Sequence, residues 1–291
     1  MGEDFTTIRA ADGSSWSNQL VECNYLNNFS ISGMTLDGNG DGVTISNHIL
    51  SVSYCQNFTL SDLHIKDAYT NGILVGNSFH GTITRITSNG TCHNGHPLTF
   101  GRCFDIQTSH CVFEGSGEYG FDSSMSTHMG FSDIDIYHSD LGFKITGTAG
   151  EPSEWISIDK VHVHHTVHPT NASVSFVYTY NSVITNLIID NVPRGMWIES
   201  HCDQLTFDGL VISDTTDASL QIAGSNIKFI GYVGTDLGGT AMYLYPAHNI
   251  TFDGMILDNC PHCYLEGSYD IDFVDCTLSA VSYTHLRAHE T

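Results

Sequence analysis

Asp122 and Lys144 are the residues of this chain best placed to move a proton. They hold the same position in two successive copies of one short pattern, Gly120-Phe121-Asp122-Ser123 and Gly142-Phe143-Lys144-Ile145. If the copies stack, an ammonium stands beside a carboxylate and favours its ionised, base form. Lys144 would equally neutralise an acidic group on a substrate. Tyr119, just ahead of the first copy, is the candidate proton donor. These three are the candidate catalytic residues. A glycosidase would use two carboxylates instead, about 5 Å apart when retaining and roughly 6.5 to 9.5 Å when inverting, for which Glu118 and Asp122 are the neighbouring pair.

A second group suits sugar binding. The small-apolar-x-apolar pattern returns as Ser175-Phe176-Val177-Tyr178, Gly195-Met196-Trp197-Ile198, Ser219-Leu220-Gln221-Ile222, Ala241-Met242-Tyr243-Leu244 and Cys263-Tyr264-Leu265-Glu266, and upstream as Gly72-Ile73-Leu74-Val75. In a strand, alternate side chains face opposite ways, so Phe121, Phe143, Phe176, Met196, Leu220 and Met242 point inward. The x residues then form an outward ladder of Asp122, Lys144, Val177, Trp197, Gln221, Tyr243 and Tyr264. Two residues on, a second outward row holds Glu199 and Glu266. Trp197, Tyr243 and Tyr264 offer flat apolar faces with polar tips, suited to pyranose rings. Rungs about 4.8 Å apart come close to the rise of a sugar unit. Trp197, Glu199, Gln221, Tyr243 and Tyr264 are therefore the candidate substrate-binding residues, and a polysaccharide is the expected partner.

The element that must position these residues is a coil. A second repeated unit alternates with the first: Asn28-Phe29-Ser30-Ile31 returns as Asn57-Phe58-Thr59-Leu60, then as Leu205-Thr206-Phe207-Asp208-Gly209 and Ile250-Thr251-Phe252-Asp253-Gly254. With Ile184, Phe207, Phe229, Phe252 and Phe273 as marks, the period is about 22 to 23 residues, within the range of solenoids. Each period reads as short strands with turn residues between them, and no helical periodicity appears. The Leu-x-x-Leu-x-Leu frame of a leucine-rich repeat is absent. The pattern predicts an all-β fold, a single-stranded right-handed parallel β-helix of about ten coils. Asn, Gly and Asp are expected at the corners, where φ is positive. The sequons at Asn28, Asn57 and Asn249 recur at the repeat period and read as a corner ladder.

Composition limits the function. Nine Lys and Arg against thirty-two Asp and Glu give a net charge of −23, which leaves no basic footprint for nucleic acid or an anionic membrane. No apolar run approaches the length of a membrane span. Hydrophobic residues at 41% allow a continuous core. Nine cysteines without regular spacing indicate no disulfide framework, and Cys111, Cys263 and Cys276 fall where the repeat expects small buried residues. Cys260-Pro261-His262-Cys263 has thioredoxin-like spacing but lies between strands rather than at a helix start.

No cofactor is expected, and no metal-ligand set is assigned. Asp37-Gly38-Asn39-Gly40-Asp41-Gly42 resembles the first half of a calcium loop, with His48 where the closing glutamate belongs, and is read as a glycine-rich corner where calcium remains an option. His162, His164, His165 and His168 form the densest histidine cluster, read as a solvated strand edge. Insertions at Thr91–Pro97 and Gly147–Glu154 flank the coils carrying Asp122 and Lys144, as binding loops do on repeat proteins.

Tyr119-Gly120-Phe121-Asp122, followed by Asp140-Leu141-Gly142-Phe143, resembles the site of the β-helical mannuronan C5-epimerases and related alginate lyases, within the pectate lyase-like superfamily. That family carries catalysis on a Tyr-Gly-Phe-Asp-Pro-His-Glu motif, completed by a later Asp-Gly-Phe coil. The resemblance spans about two coils. It implies abstraction of the C5 proton of a uronate while neutralising groups hold the carboxylate, and it transfers to Tyr119 and Asp122. Ser123, Ser124 and Met125 stand where the family has Pro, His and Glu, and Thr146 where its second coil has an acid.

The expected function is thus action on a polysaccharide by a lyase, epimerase or hydrolase; the alternative is a noncatalytic glycan-binding or phage tailspike module, as an adhesin would be, trimeric if a tailspike. An extracellular or virion-associated location follows from either, although Met1-Gly2-Glu3-Asp4 begins no signal peptide. Residues 1–280 read as one β-helix domain, a fragment of a longer protein. Residues 281–291 resemble translated sequencing-adapter tails on metagenomic reading frames and read as non-native.

Overall fold

The structure is a computed structural model and describes residues 6–11, 19–39, 48–89, 95–260 and 262–279. It is a right-handed parallel β-helix of about ten coils, all-β as the repeat predicts. None of the described residues is helical, so no helix is long and apolar enough to cross a membrane. The chain divides into two compact units, Met1–Phe143 and Lys144–Thr291.

In the first unit each coil pairs a short strand with a long one. The short strands Val21–Asn24, Leu50–Ser53, Ile73–Gly76, Leu98–Gly101 and Tyr119–Ser124 pair in parallel. The long strands Asn27–Asp37, Gln56–Lys66, Phe79–Asn89 and Phe104–Glu114 pair in the same sense. Each long strand bends at two residues of positive φ, such as Asn57 (52°) and Asp62 (55°). In the second unit a coil holds three short strands, as in Asp203–Asp208, Val211–Thr215 and Leu220–Ile222.

Parallel pairing stacks like on like. Ile184, Phe207, Phe229, Phe252 and Phe273 are successive rung partners, the same five marks that set the period. Phe207, Phe229 and Phe252 are fully buried, and their rings stack at 4.9 Å. Strand spacing of about 4.8 Å matches the separation aromatic rings favour, so one repeated residue serves backbone and core together. Phe121, Phe143, Phe176, Met196, Leu220 and Met242 all point into the core.

The register of one coil differs from the sequence expectation. Val174 pairs with Met196, Ser175 with Trp197 and Phe176 with Ile198. The neighbour of Trp197 is therefore Ser175, not Val177. The pattern match had set Phe176 against Met196, a spacing of 20 residues; the observed spacing of 22 keeps the period. A two-residue shift leaves every side chain on its face, so Phe176 stays inside.

Corners are the other departure. In the second unit many corners hold Asn, Asp or Gly at positive φ as expected, and the Asn249 amide donates to Asn226, which donates to Asp203, but Trp155, Lys160, His165, Tyr178 and Gln204 adopt positive φ as well. In the first unit Tyr25, Tyr54, His80, Arg85, Arg102 and Met125 also adopt positive φ. A left-handed non-glycine residue costs on the order of 1 kcal/mol, and stacking of Tyr25 on Tyr54 at 4.9 Å offsets part of it.

The cysteines have a structural reason. Cys55, Cys103 and Cys202 follow a corner, and each Sγ–H donates to a carbonyl of the preceding coil, those of Cys23, Val75 and Phe176. Ser78 and Ser126 fill the equivalent corner positions and accept the N–H groups of Cys55 and Cys103. These thiols satisfy backbone rather than one another. Cys111, Cys260 and Cys263 are buried and unbridged, but Cys276 is half-exposed, contrary to expectation, because it lies between strands of the last described coil. Pro261 and residues 280–291, with the tail reading, fall outside the described residues.

Candidate functional site

In the first unit the outward face of the short-strand sheet is built rung by rung. One column runs Glu22, Ser51, Leu74, Thr99, Asp122; the next runs Asn24, Ser53, Gly76, Gly101, Ser124. Nothing lies within 4 Å of where a Cβ of Gly101 would sit, and only Ser53 Oγ, at 3.7 Å, does so for Gly76. Bare backbone therefore lies on the rungs before Ser124. Ser124 Oγ donates to Asp122 Oδ2 at 3.2 Å. Gly120 is obligatory, since a Cβ there would come within 2.4 Å of Ile136 Cγ2.

Tyr119 is held from the coil before. Its backbone N–H donates to His96 Nδ1 at 3.1 Å, and its ring lies 5.6 Å from the imidazole. A nitrogen that accepts carries no proton, so the imidazole making this bond is the Nε2–H tautomer. Nε2 then faces Glu118 Oε2 at 3.4 Å. Ser116 Oγ–H lies between two carbonyl acceptors, Tyr119 O at 2.6 Å and Gly95 O at 2.9 Å, fixing the turn from which Tyr119 emerges. Glu118 thus faces a histidine. Arg102 sits at the corner after Gly101, exposed, with its N–H donating to Ser124 O at 2.9 Å. Its backbone is thus tied to the rung that carries Asp122 and Ser124.

His96 and Arg102 were not picked out as functional residues from the sequence. The signal lay in the period: His96 and Tyr119, like Arg102 and Met125, are 23 residues apart. Lys144 is half-exposed on the strand Leu141–Thr146 and opens the second unit, whereas Tyr119 and Asp122 belong to the first. The insertion at residues 91–97 is described only from Gly95 onward; that at 147–154 forms a turn in which Thr148 and Glu151 exchange backbone hydrogen bonds.

The second unit carries the aromatic column. Trp197 pairs with Gln221, Gln221 with Tyr243 and Tyr243 with Tyr264, in one unbroken register. Trp197 is 40% exposed although the residues on either side of it are buried. Tyr243 Oη donates to Glu266 Oε2 at 3.1 Å, and its ring lies 6.1 Å from Tyr245 and 6.2 Å from Tyr264. Desolvation, then the bond to Glu266, raises the Tyr243 phenol above its ordinary value, so this hydroxyl holds its proton and works as a donor. Glu199 is half-exposed on the row beside Trp197. The column offers ring faces and hydrogen-bonding tips to a long, repetitive ligand.

Of the calcium-like loop, residues 40–42 lie outside the described residues. Its described oxygens face a guanidinium: Arg9 donates to Asn39 Oδ1 at 2.6 Å and lies 3.5 Å from Asp37 Oδ2.

A family model described as a right-handed beta helix region matches residues 48–212. The structure is similar to the A-module of the mannuronan C-5 epimerase AlgE6 from Azotobacter vinelandii, with a TM-score of 0.68 at 15% identity, covering 97% of this chain and 81% of that one. The AlgE4 A-module of the same organism gives 0.61 at 12% identity over 94% and 91%. PfbA, a surface adhesin of Streptococcus pneumoniae, gives 0.61 at 12% identity over 91% and 84%. No curated protein matches the chain in sequence.

Proposed function

The chain belongs to the right-handed β-helix family, and from that premise we propose that it is a polysaccharide-acting protein of the lyase or epimerase kind. One observation carries the proposal: Trp197, Gln221, Tyr243 and Tyr264 stand in consecutive register on one outward column. A column repeating at about 4.8 Å matches a polymer of rings better than it matches a compact ligand. The chemistry falls to the first unit. Asp122 is the base, with Ser124 Oγ donating to its Oδ2; Tyr119 is the proton donor, with its backbone fixed by His96 and Ser116; Arg102 is the cation for an acidic sugar. In this reading Asp122 takes a proton from the carbon next to a uronate carboxylate. The carbanion then either expels the glycosidic oxygen, which Tyr119 protonates, or regains a proton on the opposite face. Hydrolysis is the weaker fit because Glu118 is turned to His96. Lys144, in the second unit, would neutralise acidic groups of the bound chain.

A noncatalytic glycan-binding role is the second reading. It is favoured by the aromatic column itself, which is complete without any acid–base pair, and by similarity to both an epimerase module and an adhesin. Incubation with a panel of neutral and uronate glycans separates the two. Unsaturated products absorbing in the ultraviolet, or a changed uronate composition, support the enzyme. Retention without turnover supports the binding module, and no retention of any glycan overturns both.

A further inference from the structure

The strand Ser157–His164 carries histidines that neither reading above uses. Val161 and Val163 are fully buried, which places His162 and His164 together on the outward face. Their rings lie almost parallel, 17° apart with centroids separated by 4.3 Å. His165 follows at φ 54°, and that left-handed turn brings its Nδ1 to 2.7 Å from Nδ1 of His164, the two rings crossing at 73°. At that separation one nitrogen must carry the proton and the other must accept it.

We propose that His162 and His164 chelate a divalent transition-metal ion such as Zn²⁺ or Ni²⁺, with His165 as the outer-shell acceptor that orients His164. Two imidazoles at i and i+2 of a strand share a face, and imidazole is a preferred ligand of these ions. A histidine that binds metal donates its other ring N–H to a fixed acceptor, which sets tautomer and ring orientation. The His164–His165 contact has that form. With the proton on His164 Nδ1, the ring's lone pair lies on Nε2, the nitrogen that would ligate a metal. Asp190 pairs with His164 on the next rung, its Oδ1 accepting from Ser213 Oγ at 2.9 Å, so negative charge adjoins the site. A net charge of −23 further raises the local concentration of cations. The sequence alone had favoured a solvated strand edge; the ring stacking and the His164–His165 contact are what the alternation pattern could not show.

The test is calorimetric titration of the untagged full chain with ZnCl₂ and NiCl₂. One equivalent of Zn²⁺ should bind. His162→Asn and His164→Asn should each weaken binding more than His165→Asn, whose loss should be about tenfold, the size of a missing outer-shell partner. His248→Asn, a substitution of an exposed histidine stacked on Tyr269, should leave binding unchanged. Nitrogen-15 spectra of the wild-type chain with and without Zn²⁺ keep the proposal testable should a variant fail to fold: coordination should move Nε2 of His164 and spare its Nδ1–H. Wild-type protein that binds neither metal, binding unchanged in both His162→Asn and His164→Asn, or metal on His164 Nδ1 would overturn the assignment.

Discussion

Tyr119 donates its backbone N–H to Nδ1 of His96, a residue 23 positions earlier and one coil away, at 3.1 Å. This bond joins the turn that presents Tyr119 to the preceding rung, and it uses the nitrogen that a metal-binding or basic histidine would need. His96 is therefore a positioning residue.

His96→Ala should cost about 1 to 3 kcal/mol, the penalty for leaving a part-buried N–H without its acceptor. His96→Asn, which keeps an acceptor oxygen near the same place, should recover part of that loss. Urea unfolding of the three proteins measures both. A stability for His96→Ala within about 0.5 kcal/mol of wild type would mean that water replaces the imidazole.

The phenylalanine column gives a stability prediction with an internal control. Phe229 is fully buried between Phe207 and Phe252, both stacked at 4.9 Å, whereas Phe273 is 42% exposed in the last described coil. Phe229→Ala should cost about 3 to 5 kcal/mol. Phe273→Ala should cost clearly less, since much of its ring already faces water. Equal losses in denaturant midpoint would show that burial does not set the value of a rung in this column.

The period was legible because rung pairing forces chemically similar residues to recur: Phe207, Phe229 and Phe252 announced both fold and register. The inward and outward faces were legible for the same reason, since a strand alternates whatever its neighbours do. The two-residue slip at Phe176 arose where Thr166–Ser173 lengthens the approach to the strand and the local pattern fits either register. His96 and Arg102 were missed on different grounds. A histidine acting across a rung leaves no local motif. A left-handed arginine at a corner runs against the preference for Asn, Gly and Asp, and only the cross-coil hydrogen bonds of the fold make it tolerable.

Alkaline pH should unfold the protein through its thiols. Burial pushes Cys103 up to about 11 and Cys111 and Cys202 up to about 12, from an ordinary value of 9.0. Below pH 9 folded and unfolded thiols alike hold their protons and contribute no pH dependence. Between 9 and 11 to 12 the unfolded chain releases protons that the folded chain keeps, so stability falls as pH rises, by up to about 1.4 kcal/mol per pH unit for each thiol. Urea midpoints from pH 7 to pH 11 should decline above 9, and a Cys103→Ala, Cys111→Ala, Cys202→Ala triple variant should show a shallower decline from its own baseline. An identical slope in the triple variant would place the effect elsewhere, the Cys263 thiol, which burial pushes up to about 11, and the buried phenol of Tyr232 being the next candidates.

The proposed division of labour between the two units gives the most direct functional test. Trp197 offers an exposed ring on a regular column, so Trp197→Ala should weaken glycan retention several-fold and raise KM with little effect on kcat, as expected when uniform binding is lost. Asp122→Asn keeps the shape and the hydrogen bond from Ser124 but removes the base, and should lower kcat by about 10² or more with retention nearly unchanged. Arg102→Ala should raise KM for uronate chains and leave retention of neutral glycans untouched, which distinguishes charge neutralisation from general packing. Should the wild type retain a glycan without turning it over, Trp197→Ala should still weaken retention while Asp122→Asn changes nothing, and the second reading holds. Small and equal effects of Trp197→Ala and Asp122→Asn on an active protein would place the site on neither column.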